Sequence, residues 1–326
     1  MLRDSPPSVP IRLLLVLTVC SQVNGMGQNL GNPDVTYKLS ATAQSVLNSG
    51  ATESDLFLSS DGLLLIFTTD RGGNFRNNRY TSGFDSDLYF STRKTHESAW
   101  TQPQAFGALI NDGVDQDEGY LRTDSTGDTF LTFQSWGDNW ESEGGPYYMY
   151  EILDSAMNVR NAPTPLDPVG RSFTQFIAEN EIQETGGMVR TKRGSVIFSA
   201  AKEKDGPMNI YYARKVEDAG FAPIELLSCS DAQSRETSVT LSQDERVLYF
   251  ASDRVVVGES RGGLDLYAVD IQEEEFTLTL SDEVVHLGDE INTEGDESSL
   301  VQVSEQQYFF IRNGDVYRAD IKRLKK

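Results

Sequence analysis

Apolar and polar positions repeat in a fixed order along most of this chain. An acidic residue opens each unit; a short apolar-polar alternation, a small polar turn and a β-rich apolar run follow, ending fourteen or fifteen positions on. The units run from Glu53 to Phe67, Glu118 to Phe133, Glu184 to Phe198, Glu236 to Phe250 and Glu297 to Ile311, their starts lying 65, 66, 52 and 61 residues apart. A second block follows each one: Asp87-Leu88-Tyr89, Tyr148-Met149-Tyr150, Asn209-Ile210-Tyr211, Asp265-Leu266-Tyr267 and Asp315-Val316-Tyr317. Alternate side chains of a strand face opposite sides, so Leu56 with Leu58, or Val239 with Leu241, place apolar groups on one face. Runs such as 63–67 and 247–250 are apolar throughout, the pattern of strands covered on both faces. Ser60-Asp61-Gly62 and Gln243-Asp244-Glu245 between them are turns of hairpin size.

Each unit therefore predicts a hairpin, a third strand carrying the tyrosine, and a more variable fourth strand, visible around 100–106, 221–227 and 284–287. Four strands make a blade, and blades of this kind bury their faces only by stacking around an axis. The expected fold is all-β, a single β-propeller of five four-stranded blades, or six if 151–180 holds a degenerate one. No fourth strand follows 316–321, whereas 35–46 precedes Glu53 as a fourth strand should. The N-terminal strand is thus expected to complete the last blade and close the ring, pairing two edges otherwise open to aggregation.

Ser59-Ser60-Asp61-Gly62 with Leu65-Ile66-Phe67-Thr68-Thr69-Asp70-Arg71, and Leu241-Ser242-Gln243-Asp244 with Leu248-Tyr249-Phe250-Ala251-Ser252-Asp253-Arg254, together with the Asp-Leu-Tyr strand, resemble the TolB-like, WD-repeat-like propeller family. The resemblance spans residues 35 to 322 and implies a non-enzymatic, partner-binding propeller. Gln134-Ser135-Trp136, Ser199-Ala200-Ala201 and Arg312-Asn313-Gly314 lack the Asp-Arg pair, so units two, three and five depart from the pattern.

Composition narrows the partners. Twenty-eight basic against 50 acidic residues give a formal charge of −22. Nucleic acid is excluded on this ground, because phosphate binding needs cationic side chains that displace counterions. Arg3 and Arg12, the apolar run 13–20 and the small residues of Val23-Asn24-Gly25 read as a signal peptide, residues 1–25, ahead of a propeller domain spanning 26–326. A periplasmic or extracellular location follows as the expectation, without a transmembrane segment. Lipid attachment at Cys20 is the lesser alternative, since Val19 fits poorly before a lipidated cysteine. Loss of the signal leaves Cys229 alone, which precludes an internal disulfide.

Candidate chemistry is sparse. His96 and His286 are the only histidines, and neither has a partner at metal-ligand spacing, so no metal site is expected. No cofactor is expected either, with calcium at the acidic loops 111–118 and 288–297 as the lesser alternative. Glu53, Glu118, Glu184, Glu236 and Glu297 recur at one position in every unit. Residues in distinct catalytic roles should differ between blades, so these glutamates read as architecture, as do Tyr89, Tyr211, Tyr267 and Tyr317. Asp70-Arg71 and Asp253-Arg254 read as ties within the scaffold. Binding is placed instead on loops that do not repeat, at Trp136, Trp140 and Tyr147 in unit two and at Arg76 and Arg79 in unit one. The resulting expectation is a non-enzymatic exported propeller that binds a protein, a cell-envelope polymer or another extracellular partner. A glycoside-cleaving enzyme using channel-mouth carboxylates is the alternative.

Overall fold

The computed structural model describes residues 36–324 apart from 72–85, 112–113, 124–125, 136–146, 162–178, 181, 204–205, 217–219, 256–262, 276 and 305. Its regular elements are strands, arranged as five blades. Blade 1 is built in spatial order from Glu53–Leu58, Leu64–Thr69, Asp87–Thr92 and Gln104–Ala105. Blade 2 holds Gln116–Thr123, Thr129–Ser135 and Tyr147–Ile152, and a bridge from Ile152 to Val159 marks its fourth position. Blade 3 holds Glu184–Arg190, Val196–Ala201, Asn209–Ala213 and Glu225–Leu226; blade 4 holds Glu236–Leu241, Val247–Ser252, Asp265–Glu273 and Leu278–His286. In blade 5, Glu297–Ser304, Gln307–Arg312 and Asp315–Leu324 are completed by the N-terminal strand Thr36–Ala43. That strand pairs antiparallel with the chain's last strand from Thr36 opposite Leu324 to Ala43 opposite Tyr317. The closure expected from the sequence is the closure observed.

Apolar side chains of adjoining blades fill the seams between blades 1 and 2, 3 and 4, 4 and 5, and 5 and 1. Leu65, Phe67 and Tyr89 of blade 1 pack with Phe309, Ile311 and Val316 of blade 5, while Ile66, Leu88 and Phe90 pack with Leu131 and Phe133 of blade 2. Ile197 and Tyr212 of blade 3 meet Leu248 and Phe250 of blade 4, whose Tyr249 and Ala251 meet Tyr308 and Phe310 of blade 5. The second strands of blades 1, 4 and 5 therefore each serve two seams with alternate side chains, which explains their uninterrupted apolar runs.

A side-chain clamp ties the chain leaving the fourth strand back to the third strand of its own blade in blades 1, 4 and 5. The amide of Asn111 accepts from the Leu88 N–H at 3.0 Å and donates to the Leu88 carbonyl at 3.0 Å; Asn292 does the same to Leu266 at 2.8 and 3.0 Å. Asn48 grips Val316 in this way across the ring closure, at 2.7 and 3.2 Å. Both Asn111 and Asn292 lie in the acidic loops considered for calcium, and neighbouring Asp115 and Asp296 accept the N–H of Ser86 and Leu264 at 2.8 and 2.7 Å. These loop oxygens are joined to backbone donors.

The register corrects the sequence alignment in blade 2. Gln116 opposes Ser135 there, as Glu53 opposes Thr69 in blade 1, so Gln116 and not Glu118 opens the unit. The buried starting position needs a polar group that can bond within the sheet, which glutamine satisfies by donating to the Ser135 hydroxyl at 3.3 Å. The same offset puts Tyr148, not Tyr150, opposite Phe133, where Tyr89 opposes Phe67.

Removal of residues 26–48 should lower the Tm by about 10 °C or more, since it unpairs the last strand and opens the ring. Thermal unfolding of the truncated chain checks this. Tyr267 is 1% exposed and stacked on Phe250 at 5.8 Å, so Tyr267→Ala should cost about 3–5 kcal/mol in chemical denaturation. Half-buried Tyr211 should cost less than Tyr267 on the same measurement.

Candidate functional site

Three of the five repeated glutamates are wholly buried ends of the first strands. Glu53 receives Arg71 at 2.8 Å, Glu236 receives Arg254, and Glu297 receives Arg312 at 3.0 Å. Each arginine also donates to a carbonyl of the loop entering its blade: Leu47 at 2.7 Å, Cys229 at 2.8 Å and Ile291 at 2.6 Å. Its guanidinium lies over two rings, Phe67 and Tyr89 at 5.2 and 5.0 Å, Phe250 and Tyr267 at 5.0 and 5.1 Å, or Phe310 and Tyr317 at 5.2 and 4.7 Å. Asp70 and Asp253 accept the N–H of the residue just before the glutamate, Thr52 or Arg235, each at 2.7 Å. Burial pushes the Glu236 and Glu297 carboxyls up, against the pull of their hydrogen bonds and arginines. Glu184 differs: it is half-buried and reaches Arg235 at 3.6 Å. This machinery holds the scaffold together, and Arg312 belongs to it although its unit lacks the Asp-Arg sequence. Arg312 stands opposite Glu297 itself, two positions earlier in register than Arg71, and therefore escapes a search by motif.

Beyond the opening residue of each blade, a glutamate or, in blade 2, Gln116, the first strand carries one extra residue against its neighbour. The bulge falls between Ser54 and Phe57, Asp117 and Tyr120, Thr185 and Met188, Thr237 and Thr240, and Ser298 and Val301. One residue in each is left-handed: Asp55 (φ 49°), Glu118 (54°), Gly187 (123°), Ser238 (54°) and Ser299 (51°). Non-glycine residues seldom adopt this conformation, and bulges re-aim side chains. The result is a level of five re-aimed positions around the axis, with carboxylates in blades 1 and 2 alone.

A cavity of about 1470 Å³ occupies the axis from this level to the turns between first and second strands. All five left-handed residues line it, and so do Asp61, Asp128, Asp154, Glu245, Arg122, Arg190, Lys192 and Tyr120. Arg190 donates to the Tyr120 hydroxyl across blades 3 and 2 at 3.2 Å. Burial pushes the Asp55 carboxyl up, opposed by a hydrogen bond from the Ser54 hydroxyl at 2.9 Å. A carboxyl held protonated into higher pH, lining one cavity with a second carboxylate from the adjoining blade, can exchange protons with a bound molecule.

Trp136, Trp140, Arg76 and Arg79 lie outside the described residues, and Tyr147 heads the third strand of blade 2, its backbone paired with Gln134. Glu118 does line the cavity, though not in the structural role expected of it.

No known family description and no curated protein matches the chain. Among solved structures it is similar to an endo-arabinase from Bacteroides thetaiotaomicron, at 10% identity and a TM-score of 0.49 over 87% of this chain and 97% of that one. It is also similar to an exo-β-1,3-galactanase from Phanerochaete chrysosporium, at 8% identity and a TM-score of 0.43, covering 88% of this chain but only 64% of that one. A thermostable family-43 glycoside hydrolase gives 12% identity and a TM-score of 0.37 over 74% and 96% of the two chains. Identities this low concern the fold alone. The expectation of a non-enzymatic binding propeller is nevertheless withdrawn: the solved propellers of similar outline are mainly glycoside hydrolases, the class held as the alternative. That reading changes its residues too, since Glu53, Glu236 and Glu297 are tied into the scaffold, whereas Glu118, alone of the repeated glutamates, lines the cavity, together with Asp55.

Replacing Arg254 by methionine strands the buried Glu236 charge and should cost about 3–5 kcal/mol of stability. Denaturant unfolding of the variant gives the number directly.

Proposed function

We propose that this chain is a glycoside-cleaving propeller that uses Asp55 and Glu118. The observation that carries this reading is the pair of carboxylates on adjacent blades at one level of the cavity, where the other three blades place glycine or serine. A feature common to all blades serves the ring, whereas a departure confined to two blades is free to serve chemistry. Glycoside hydrolysis needs two carboxyl groups in unlike states. One gives a proton to the departing oxygen, and the other activates water or attacks the anomeric carbon. Asp55 is the donor, because burial keeps its proton in place at higher pH. Glu118 is the base or nucleophile.

A polysaccharide substrate goes with this reading. Export through residues 1–25 puts the protein where such polymers lie, and the TolB-like repeat pattern belongs to the same proposal as a statement of ancestry. Among the described residues no helix is long and apolar enough to cross a membrane.

Asp55→Asn and Glu118→Gln should each lower reducing-sugar release from a susceptible glycan by about a hundredfold or more, and Ser238→Ala should leave it unchanged. If the native protein releases nothing from a broad glycan panel, the reading fails. Asp55 also predicts a pH dependence of stability. Its folded pKa exceeds the unfolded value of about 3.9, so the folded state holds this proton longer. Stability from this group is present below the unfolded pKa and declines as pH rises through the folded one. Asp55→Asn should remove that decline, leaving Tm at neutral pH no lower than that of the native protein.

A further inference from the structure

The cavity is not symmetric about the propeller axis. Blades 1, 3 and 4 line it with their first strands and first turns and blade 5 with its first strand, whereas blade 2 adds Ile152 at the end of its third strand and Leu153, Asp154 and Met157 from the turn beyond. These positions lie toward the outer end of the blade. The cavity therefore runs outward from the Asp55 level across the end of blade 2, and the first turn of blade 3, with Lys192, forms part of its lining.

The outer turn is braced. Asp154 accepts the N–H groups of Ala156 and Asn158 at 2.9 and 3.3 Å and the Asn158 amide at 2.9 Å, while the Leu153 N–H donates to the Asn158 carbonyl at 2.7 Å. Arg160 closes it with a two-pronged bond to Glu151, each arm 2.7 Å long. On this rigid support Leu153 is 52% exposed, an apolar side chain presented at the cavity instead of withdrawn into the core. Met157, in left-handed backbone at φ 58°, also lines the cavity while packing in part against the apolar core of blades 1 and 2.

We propose that this radial groove binds a linear glycan chain, with Leu153 and Met157 as the platform for a sugar ring several units from the linkage at Asp55 and Glu118. The inference rests on the glycosidase reading and adds selection for chain length to it. Three features favour an extended sugar polymer over other occupants. At about 1470 Å³ the cavity exceeds the roughly 300–1,000 Å³ that suits one small molecule. It is elongated away from the axis. Its lining sets apolar side chains among donors and acceptors of both signs, which matches a ring with an apolar C–H face and a hydroxyl edge.

The test uses the full-length secreted protein and two probe series, β-1,3-galacto-oligosaccharides and arabino-oligosaccharides from disaccharide to octasaccharide. Affinity is measured by calorimetry and turnover in parallel. Affinity for one series should rise about tenfold between disaccharide and the longer members, and Leu153→Asp should abolish that rise while leaving disaccharide binding unchanged. Leu153→Ser guards against a folding defect in the aspartate variant, and a melting curve accompanies both. Affinity independent of length, a rise that survives both substitutions, or no binding of either series would overturn the groove. Length-dependent binding that is sensitive to Leu153 but without turnover at any length supports the groove and sinks the glycosidase reading. Turnover indifferent to length sinks the groove alone.

Discussion

The last of the five sheets in this ring is completed by the first stretch of chain. A blade standing alone leaves two apolar faces and an outer edge exposed, so its stability is borrowed from both neighbours. Pairing of Thr36–Ala43 with Asp315–Leu324 turns an open stack into a ring. The Asn48 clamp on Val316 carries across the closure the same interaction that Asn111 and Asn292 make within the continuous chain. No disulfide takes part among the described residues, where Cys229 is a buried free thiol whose pKa burial pushes up to about 12. The seams and the closing strand hold the ring.

Within that ring the buried glutamates solve a local problem. Each first strand begins close to the axis, where the entering loop leaves carbonyls without strand partners. An arginine that bonds both to the glutamate and to such a carbonyl satisfies them together, and its flat guanidinium fits between the blade's stacked aromatic pair. Burying the charges is costly, which explains why Glu236 and Glu297 have raised pKa values in spite of their partners. The tie is used in blades 1, 4 and 5, while blade 2 replaces it with the neutral Gln116.

The bulges beyond those ties give the ring its second property. An extra residue in every first strand forces one backbone position into the left-handed region, and the side chain there is re-aimed. Because the geometry repeats five times, it carries no functional information by itself; the residue types placed on it do. Serine and glycine at three positions leave room, and carboxylates at two adjoining positions make one side of the cavity acidic. The same side continues outward over blade 2, so chemistry and shape depart from symmetry in the same blade.

Much of this was legible from residue order. Alternation within strands, apolar runs in second strands and the spacing of Glu53, Glu236 and Glu297 follow from local side-chain geometry, and they sufficed for the blade, its count and the N-terminal closure. The structural role of those three glutamates was legible too, because repetition at one position signals a shared environment. Blade 2 was misread because Glu118 lies only two residues from Gln116 and is the acidic residue that spacing selects. Choosing between them needs the partner across the sheet, Ser135 for Gln116, and strand pairing is a long-range property. Arg312 was missed for the same reason, since a guanidinium can reach one carboxylate from two backbone positions. The pairing of Asp55 with Glu118 was beyond the sequence altogether. Those residues are 63 positions apart in different units, and only the bulges and the closed ring bring them to the same level of one cavity. Periodicity determines which strands form and how they stack; the tertiary ring decides which side chains face its axis, because closure and bulging act on backbone direction and not on residue type.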